Sequence, residues 1–474
     1  MSLPRAGSRV CPLSRRERVG VRHLSLSRRA KRRRLKNSLS LRERVGVRGV
    51  LLALLLLALA LIAPAAERRL ANGALVVVEP RASTETVAIR LVVGGGNLDV
   101  SASPAVARLH AAMLLRGTRE KDSFALARGA EELGGRLAAV SRPLAEVLSI
   151  TVPAENADPA IRLVVETFLS ARLDPADLEK EKNLLAGTLA TERDQPSTHR
   201  KDEVVHAVFT GHPLSRLALP SDAEVGAVGI ESVRLFHRAR MAGGRLALLA
   251  VGRVDPDRAA ALAGELLGAV PAGHLPTPAG VERPVFPTPP PLSADVSRRI
   301  SKRTTQAELT IALPTTGLAD SERPAFALLA HVLGGFQERL YREIREKRGW
   351  AYSIEATGEN FPGAGLFEVT TGAKKEKLDD IEKIVRLELQ RLADSPVTPA
   401  ELTRAVRFLK TAEARRDATN AGRAGVLTED ILANSPLRTY EERIARLESV
   451  TPAEIQTLAR RLFAGKHVAA VRMY

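Results

Sequence analysis

The chain has 474 residues, 45% of them hydrophobic and 26% charged, which is enough for two domains of about 200 residues with separate cores and too apolar for a protein disordered overall. Its net charge is +17, but residues 1–49 hold sixteen Lys and Arg against Glu17 and Glu43, so the leader carries +14 of it. What remains is close to neutral: the charge gives no reason to expect a nucleic-acid partner, and any membrane contact is assigned to the signal segment alone.

Residues 1–49 contain a near-perfect decamer repeat, Leu13 to Arg22 and Leu39 to Arg48, with no apolar periodicity able to build a core. This stretch is expected to be a basic disordered leader, and it reads as translated non-coding repeat upstream of a start near Val45 or Val47; an RNA-binding tail is the alternative. Residues 50–66 form a signal peptide: an apolar run over 50–62, then Ala63-Pro64-Ala65-Ala66, with cleavage expected after Ala65 or Ala66. The run falls short of the roughly twenty residues that a spanning helix needs, so the protein is expected to be periplasmic or secreted, with anchoring by an uncleaved signal as the alternative. Cys11, the sole cysteine, lies in the leader, which leaves no disulfide or thiol chemistry for the mature chain.

Past the signal, Asn72-Gly73 is a turn, 74–79 reads as a strand, and 86–93 is a second strand ending in Gly94-Gly95-Gly96. A helix starts at Ser103-Pro104, where Ser caps and Pro takes the first helical position, and stops before Gly117. Further helices are expected near 123–133, 158–171, 175–193, 229–240 and 255–267, with a strand pair over 136–152 and a strand at 246–251. Residues 271–297 turn Pro-rich and read as a semi-rigid linker between domains at 67–270 and 298–474. The second half repeats the first. Asp174-Pro-Ala-Asp-Leu-Glu-Lys180 matches Thr398-Pro-Ala-Glu-Leu-Thr-Arg404, and the strand at 88–93 has a counterpart at 309–314. Two copies of one α/β unit is the economical reading; two unrelated α/β domains sharing a helix-start motif is the other.

The segment from Ala105 to Thr118 includes Arg108-Leu-His110-Ala111-Ala112-Met-Leu-Leu-Arg-Gly117-Thr118. It resembles the helix on which insulinase/pitrilysin-type zinc peptidases carry H-x-x-E-H followed by Met-Leu-x-x-Gly-Thr. In that alignment the three chemical positions hold Arg108, Ala111 and Ala112, and the family's third ligand, a Glu on a later helix, falls on Thr188. Zinc hydrolysis needs two imidazoles one helical turn apart, a carboxylate to take the proton of water, and a further ligand. His110 cannot substitute, because two residues along a helix is about 200° of rotation. Glu192 lies one turn past Thr188 and reads as ordinary surface charge.

In the second half, Leu333-Gly334-Gly335 followed by Arg339-Leu340 and by Arg345-Glu-Lys-Arg-Gly349-Trp-Ala-Tyr352-Ser353 is similar to the same family's signature. The resemblance implies that Arg345 and Tyr352 bind substrate backbone and help to stabilise the tetrahedral intermediate. Gly211-His212-Pro213 and Val251-Gly-Arg-Val-Asp255 are lesser echoes, and Gly96 departs from the usual Ser. The resemblance spans about 67–474. It implies an α+β fold of two homologous α/β sandwich domains, each a mixed, largely antiparallel sheet covered by helices. Within the half-length branch that includes the mitochondrial processing peptidase subunits, it implies a non-catalytic subunit: no cofactor in this chain, zinc in a homologous partner subunit carrying H-x-x-E-H, and a peptide substrate held between them. A structural scaffold and a stand-alone metallopeptidase are the alternatives.

Overall fold

The computed structural model describes residues 66–273, 280–302 and 304–474. The leader with Cys11 and residues 50–65 of the expected signal peptide lie outside them, and Ala66, its last residue, opens β1. In the first half, β1 (Ala66–Arg69), β2 (Leu75–Pro80) and β3 (Thr86–Gly94) precede α1 (Pro104–Leu114) and α2 (Ser123–Glu132). The β4 (Ala138–Ser141) and β5 (Ala145–Pro153) hairpin leads into α3 (Ala157–Leu169), α4 (Pro175–Asp194) and α5 (Pro196–Val208). The short α6 (Asp222–Gly226), α7 (Ile230–Arg238), β6 (Leu246–Gly252) and α8 (Pro256–Gly268) complete it. The second half opens with β7 (Val296–Ile300), β8 (Ala307–Thr316) and α9 (Arg323–Gly334), then a π-helical turn at Tyr341–Glu346, β9 (Ala351–Phe361) and β10 (Ala364–Ala373). It closes with α10 (Leu378–Asp394), α11 (Pro399–Asp417), α12 (Asn420–Ala433), α13 (Tyr440–Ser449), α14 (Pro452–Phe463) and β11 (Ala469–Met473).

The two sheets run β1-β2-β6-β3-β5-β4 and β7-β11-β8-β10-β9. In each, one pair is parallel, β2 with β6 and β7 with β11, and every other pair is antiparallel. Strand for strand the second sheet reproduces the first without its edge strand β1. This order carries the duplication better than the shared helix start does. Among the described residues a capping residue followed by Pro opens five α-helices, at Ser103, Asp174, Asp255, Thr398 and Thr451, so that motif is a general device of this chain. The fold is α+β, two homologous sandwiches of mixed, largely antiparallel sheet and helix.

Each sheet buries both faces. Along β3, Val87, Ile89, Leu91 and Val93 face a core shared with α3 and α8, while Ala88 and Val92 face the other way. That second face is roofed by α12, from the opposite half, whose Ala424, Leu427 and Ile431 recur at helical spacing. The second sheet is covered by α9, α10 and α14 on one side. Its other side meets α5 of the first half, through Val204, Val205 and Val208 against Ala312, Leu366 and Val471. At about 1.5–3 kcal/mol per buried aliphatic side chain, each exchanged helix contributes several kcal/mol to the opposite half.

Ion pairs set the register of both exchanges. On α5, Arg200 meets Glu308 at 2.9 Å, and Lys201 meets Glu359 and Glu368 at 2.7 Å each. On α12, Arg423 meets Glu79 at 2.6 Å, and Asn420 donates to the Thr86 carbonyl at 2.8 Å. Gly252, with φ of 138°, admits that approach: a Cβ there would lie 2.7 Å from the Asn420 amide nitrogen.

The Pro-rich segment, read from sequence as a semi-rigid linker, packs against both sheets. Val281 is buried against the first sheet and Phe286 against the second, and the Phe286 N–H donates to the Pro362 carbonyl at 2.8 Å. β7 begins at Val296, inside the stretch assigned to the linker, because its alternation pairs with β11.

Candidate functional site

The cap of α1 is the Ser103 hydroxyl, which accepts from the Val106 N–H at 3.3 Å. Arg108 and Ala112 lie one turn apart, and the Arg108 guanidinium donates to Glu192 Oε2 on α4 at 3.1 Å. Ala111 is buried, and Ala112 adds a second methyl. Thr188, one turn before Glu192, returns its hydroxyl to the Leu184 carbonyl at 2.9 Å. Glu192 is therefore not a bare surface charge, as its sequence context indicates, but the counter-ion of a cation 84 residues away.

His110 points into the core, away from Arg108. Its Nδ1 lies 2.8 Å from Glu146 Oε2 and its Nε2 3.0 Å from Nδ1 of His237, all three side chains being buried. Phe236 packs edge-on against the His110 ring and Phe168 against His237. Burial, with the His110 ring and the charges of Arg119, Arg240 and Arg238, pushes His237 down to about 3. Arg240 beside it is fully buried, donating to Asp99 at 2.9 Å and to the Gly95 carbonyl at 3.0 Å. This network fastens α1 to β5 and α7 and leaves the His110 ring no free nitrogen. His212 is likewise committed, between the Leu214 N–H and the Pro287 carbonyl.

The second cluster lies at the start of β9. The π-helical turn and Gly349, with φ of 66°, fold Arg345 back over the strand. Its guanidinium carbon sits 4.5 Å from the Tyr352 ring centroid and 5.1 Å from that of Tyr341, and it donates to the Tyr352 carbonyl. Tyr352 itself is 71% exposed. Both residues line an open cavity of about 1030 Å³, whose lining residues all come from the second half.

Residues 75–220 match the family described as Insulinase (Peptidase family M16), and residues 227–409 match the Peptidase M16 inactive domain. The chain belongs to the insulinase-type peptidase family. It is 27% identical over 359 residues to an uncharacterized zinc protease of Streptomyces coelicolor, covering 73% of this chain and 76% of that one. An uncharacterized zinc protease of Mycobacterium bovis is 26% identical over 413 residues, covering 85% and 91%. A crystal structure titled as a peptidase M16 inactive domain from Pseudomonas fluorescens superposes with a TM-score of 0.75 at 23% identity, covering 86% of this chain and 98% of that chain. A protease from Helicobacter pylori superposes at 0.76 with 15% identity, covering 87% and 99%.

Zinc, which the family implies, does not fit the residues of this member. Where imidazole and carboxylate donors are required, it offers a guanidinium already paired with Glu192, two methyl groups and a hydroxyl turned to its own helix. Among the described residues, no group of three or more His, Cys, Asp or Glu is placed to hold a metal ion. The sequence reading missed the Arg108–Glu192 pair and the Glu146–His110–His237 network, since each joins residues far apart in the chain. A buried His in an otherwise apolar stretch was the available signal for the second.

Proposed function

We propose that this insulinase-family chain is the non-catalytic subunit of a two-chain zinc metalloendopeptidase. It would be exported to the periplasm or beyond the cell and pair with a homologous subunit that carries H-x-x-E-H and the zinc. The reading rests on one contrast: the metal positions hold Arg108, paired with Glu192, the methyl group of Ala112 and the hydroxyl of Thr188, while Arg345 and Tyr352 remain at the wall of an open cavity. There the guanidinium and the phenol hydroxyl are suited to donate to a peptide carbonyl and to the oxyanion that forms from it. This chain would also supply one wall of the chamber that holds the peptide.

A scaffold role is the second reading, favoured by the Arg345 guanidinium being bonded to its own chain at the Tyr352 carbonyl. Purified partner and a quenched fluorescent peptide separate the two. The subunit role requires that adding this chain raises the partner's turnover and that Arg345→Ala abolishes the gain. Unchanged turnover would leave the scaffold reading.

A further inference from the structure

The cavity at the start of β9 has a charge bias that the proposed peptide-holding role does not by itself require. Arg345, Arg348, Lys374, Lys375 and Lys377 line it, against one carboxylate side chain, Glu376. Of the five cations only Arg348 has a carboxylate partner among the described residues, Glu343 at 2.9 Å. Of the nine other lysines among the described residues, seven meet a carboxylate, so three without one in a single cavity are a local departure. Lys374, Lys375 and Lys377 also directly precede the N-terminus of α10, where the helix dipole already favours negative charge. Stability alone would place acids there.

The cavity is also where this aromatic-poor chain puts its polar aromatics. Trp350, Tyr352 and Tyr474 line it, three of the five Tyr and Trp residues in the sequence. Lys377 lies 4.9 Å from the Trp350 ring centroid and Lys375 4.0 Å from that of Tyr474, so the ammonium groups are held against ring faces and not tied to carboxylates. Flat rings that flank free ammonium groups suit an extended polymer with apolar stems and anionic ends.

We propose that this cavity selects an acidic peptide segment, its Asp and Glu carboxylates meeting Lys374, Lys375 and Lys377 while Arg345 and Tyr352 take the adjoining backbone. The proposal rests on the peptide-holding role and adds the substrate class. Trp350 is the only tryptophan of the chain, so its emission reports occupancy of the cavity without a label.

The test titrates the purified full chain, without a partner, with matched twelve-residue peptides: Glu/Asp-rich, neutral, and Lys-rich. The acidic peptide is expected to change Trp350 emission saturably, more weakly as salt rises, and the Lys-rich peptide not at all. Exposed pairs each contribute about a factor of two to three, so Lys374→Gln, Lys375→Gln and Lys377→Gln together should weaken binding about tenfold, while Lys375→Arg with Lys377→Arg retains it. Equal binding of the three peptides overturns the proposal, as does an anionic phospholipid vesicle or oligonucleotide binding where the acidic peptide does not. The partner's turnover on a neutral peptide is measured alongside. Stimulation without acidic preference refutes the selectivity and keeps the subunit role; acidic binding without stimulation does the reverse.

Discussion

Acid should loosen the anchorage of α1, and the size of the effect can be worked out from His237. Its folded pKa is about 3 against an ordinary 6.5, mainly through burial, and the residue is only 8% exposed. In the unfolded chain the imidazole takes up a proton near pH 6.5 that the folded protein refuses. The stability it contributes is therefore complete above 6.5 and is lost progressively as pH falls toward 3, at about 1.4 kcal/mol per pH unit. By pH 4.5 the loss is on the order of 2–3 kcal/mol. Other groups titrate in the same range. Asp430, whose pKa burial raises to about 6, acts oppositely, because the folded state binds its proton first as pH falls. The informative quantity is the difference between the wild type and His237→Asn, in which the amide stands in for Nδ1 toward His110. Urea unfolding at pH 7.5, 6.5, 5.5 and 4.5 should find the variant less stable at 7.5 and the gap closing by about 2–3 kcal/mol at 4.5. A gap independent of pH would refute the account of a neutral, water-excluded imidazole.

The isolated chain should contain no stoichiometric zinc by elemental analysis, and its peptide cleavage, if any, should be indifferent to chelator. Replacing Arg108→His, Ala111→Glu, Ala112→His and Thr188→Glu together should create a zinc-binding chain, since Glu192 already shows that α1 and α4 face each other at that point; failure to take up metal would mean the helices are misaligned for ligation. In the proposed two-chain complex, Arg345→Ala should lower kcat by about 10²–10³-fold, as loss of an oxyanion donor does, with a smaller effect on KM. Phe209→Ala, directly after α5 and fully buried against the second sheet, should cost about 3–5 kcal/mol in denaturant unfolding; a cost under about 1 kcal/mol would show that the α5 interface is loose.

The sequence made the ends of elements legible wherever a local signal existed. Ser103-Pro104 marked the start of α1, and apolar alternation marked β3, since both need only a few neighbouring residues. α5 went unread because its first turns are polar, from Ser197 to Glu203. Its apolar residues, Val204, Val205 and Val208, gather at one end to meet a sheet formed some hundred residues later. The same holds for the candidate sites. The loss of ligands on α1 and the Arg345–Tyr352 pair were visible as residue types in a recognisable frame. What replaced the ligands was not, because an ion pair between α1 and α4 has no signature in either helix alone. Phe286 and Val281 were hidden for a related reason, a Pro-rich stretch giving no hint that these two of its apolar side chains each plug a different core.

The exchange of α5 and α12 has a consequence for how the chain comes to exist at all. Cut anywhere in the 280s, neither fragment could complete itself: one would lack the lid over Leu75, Val77 and Leu249, the other the lid over Ala312, Leu366 and Val471. What began as a repeat has become interlocked, and its two copies should melt together in one transition instead of as two beads on a string.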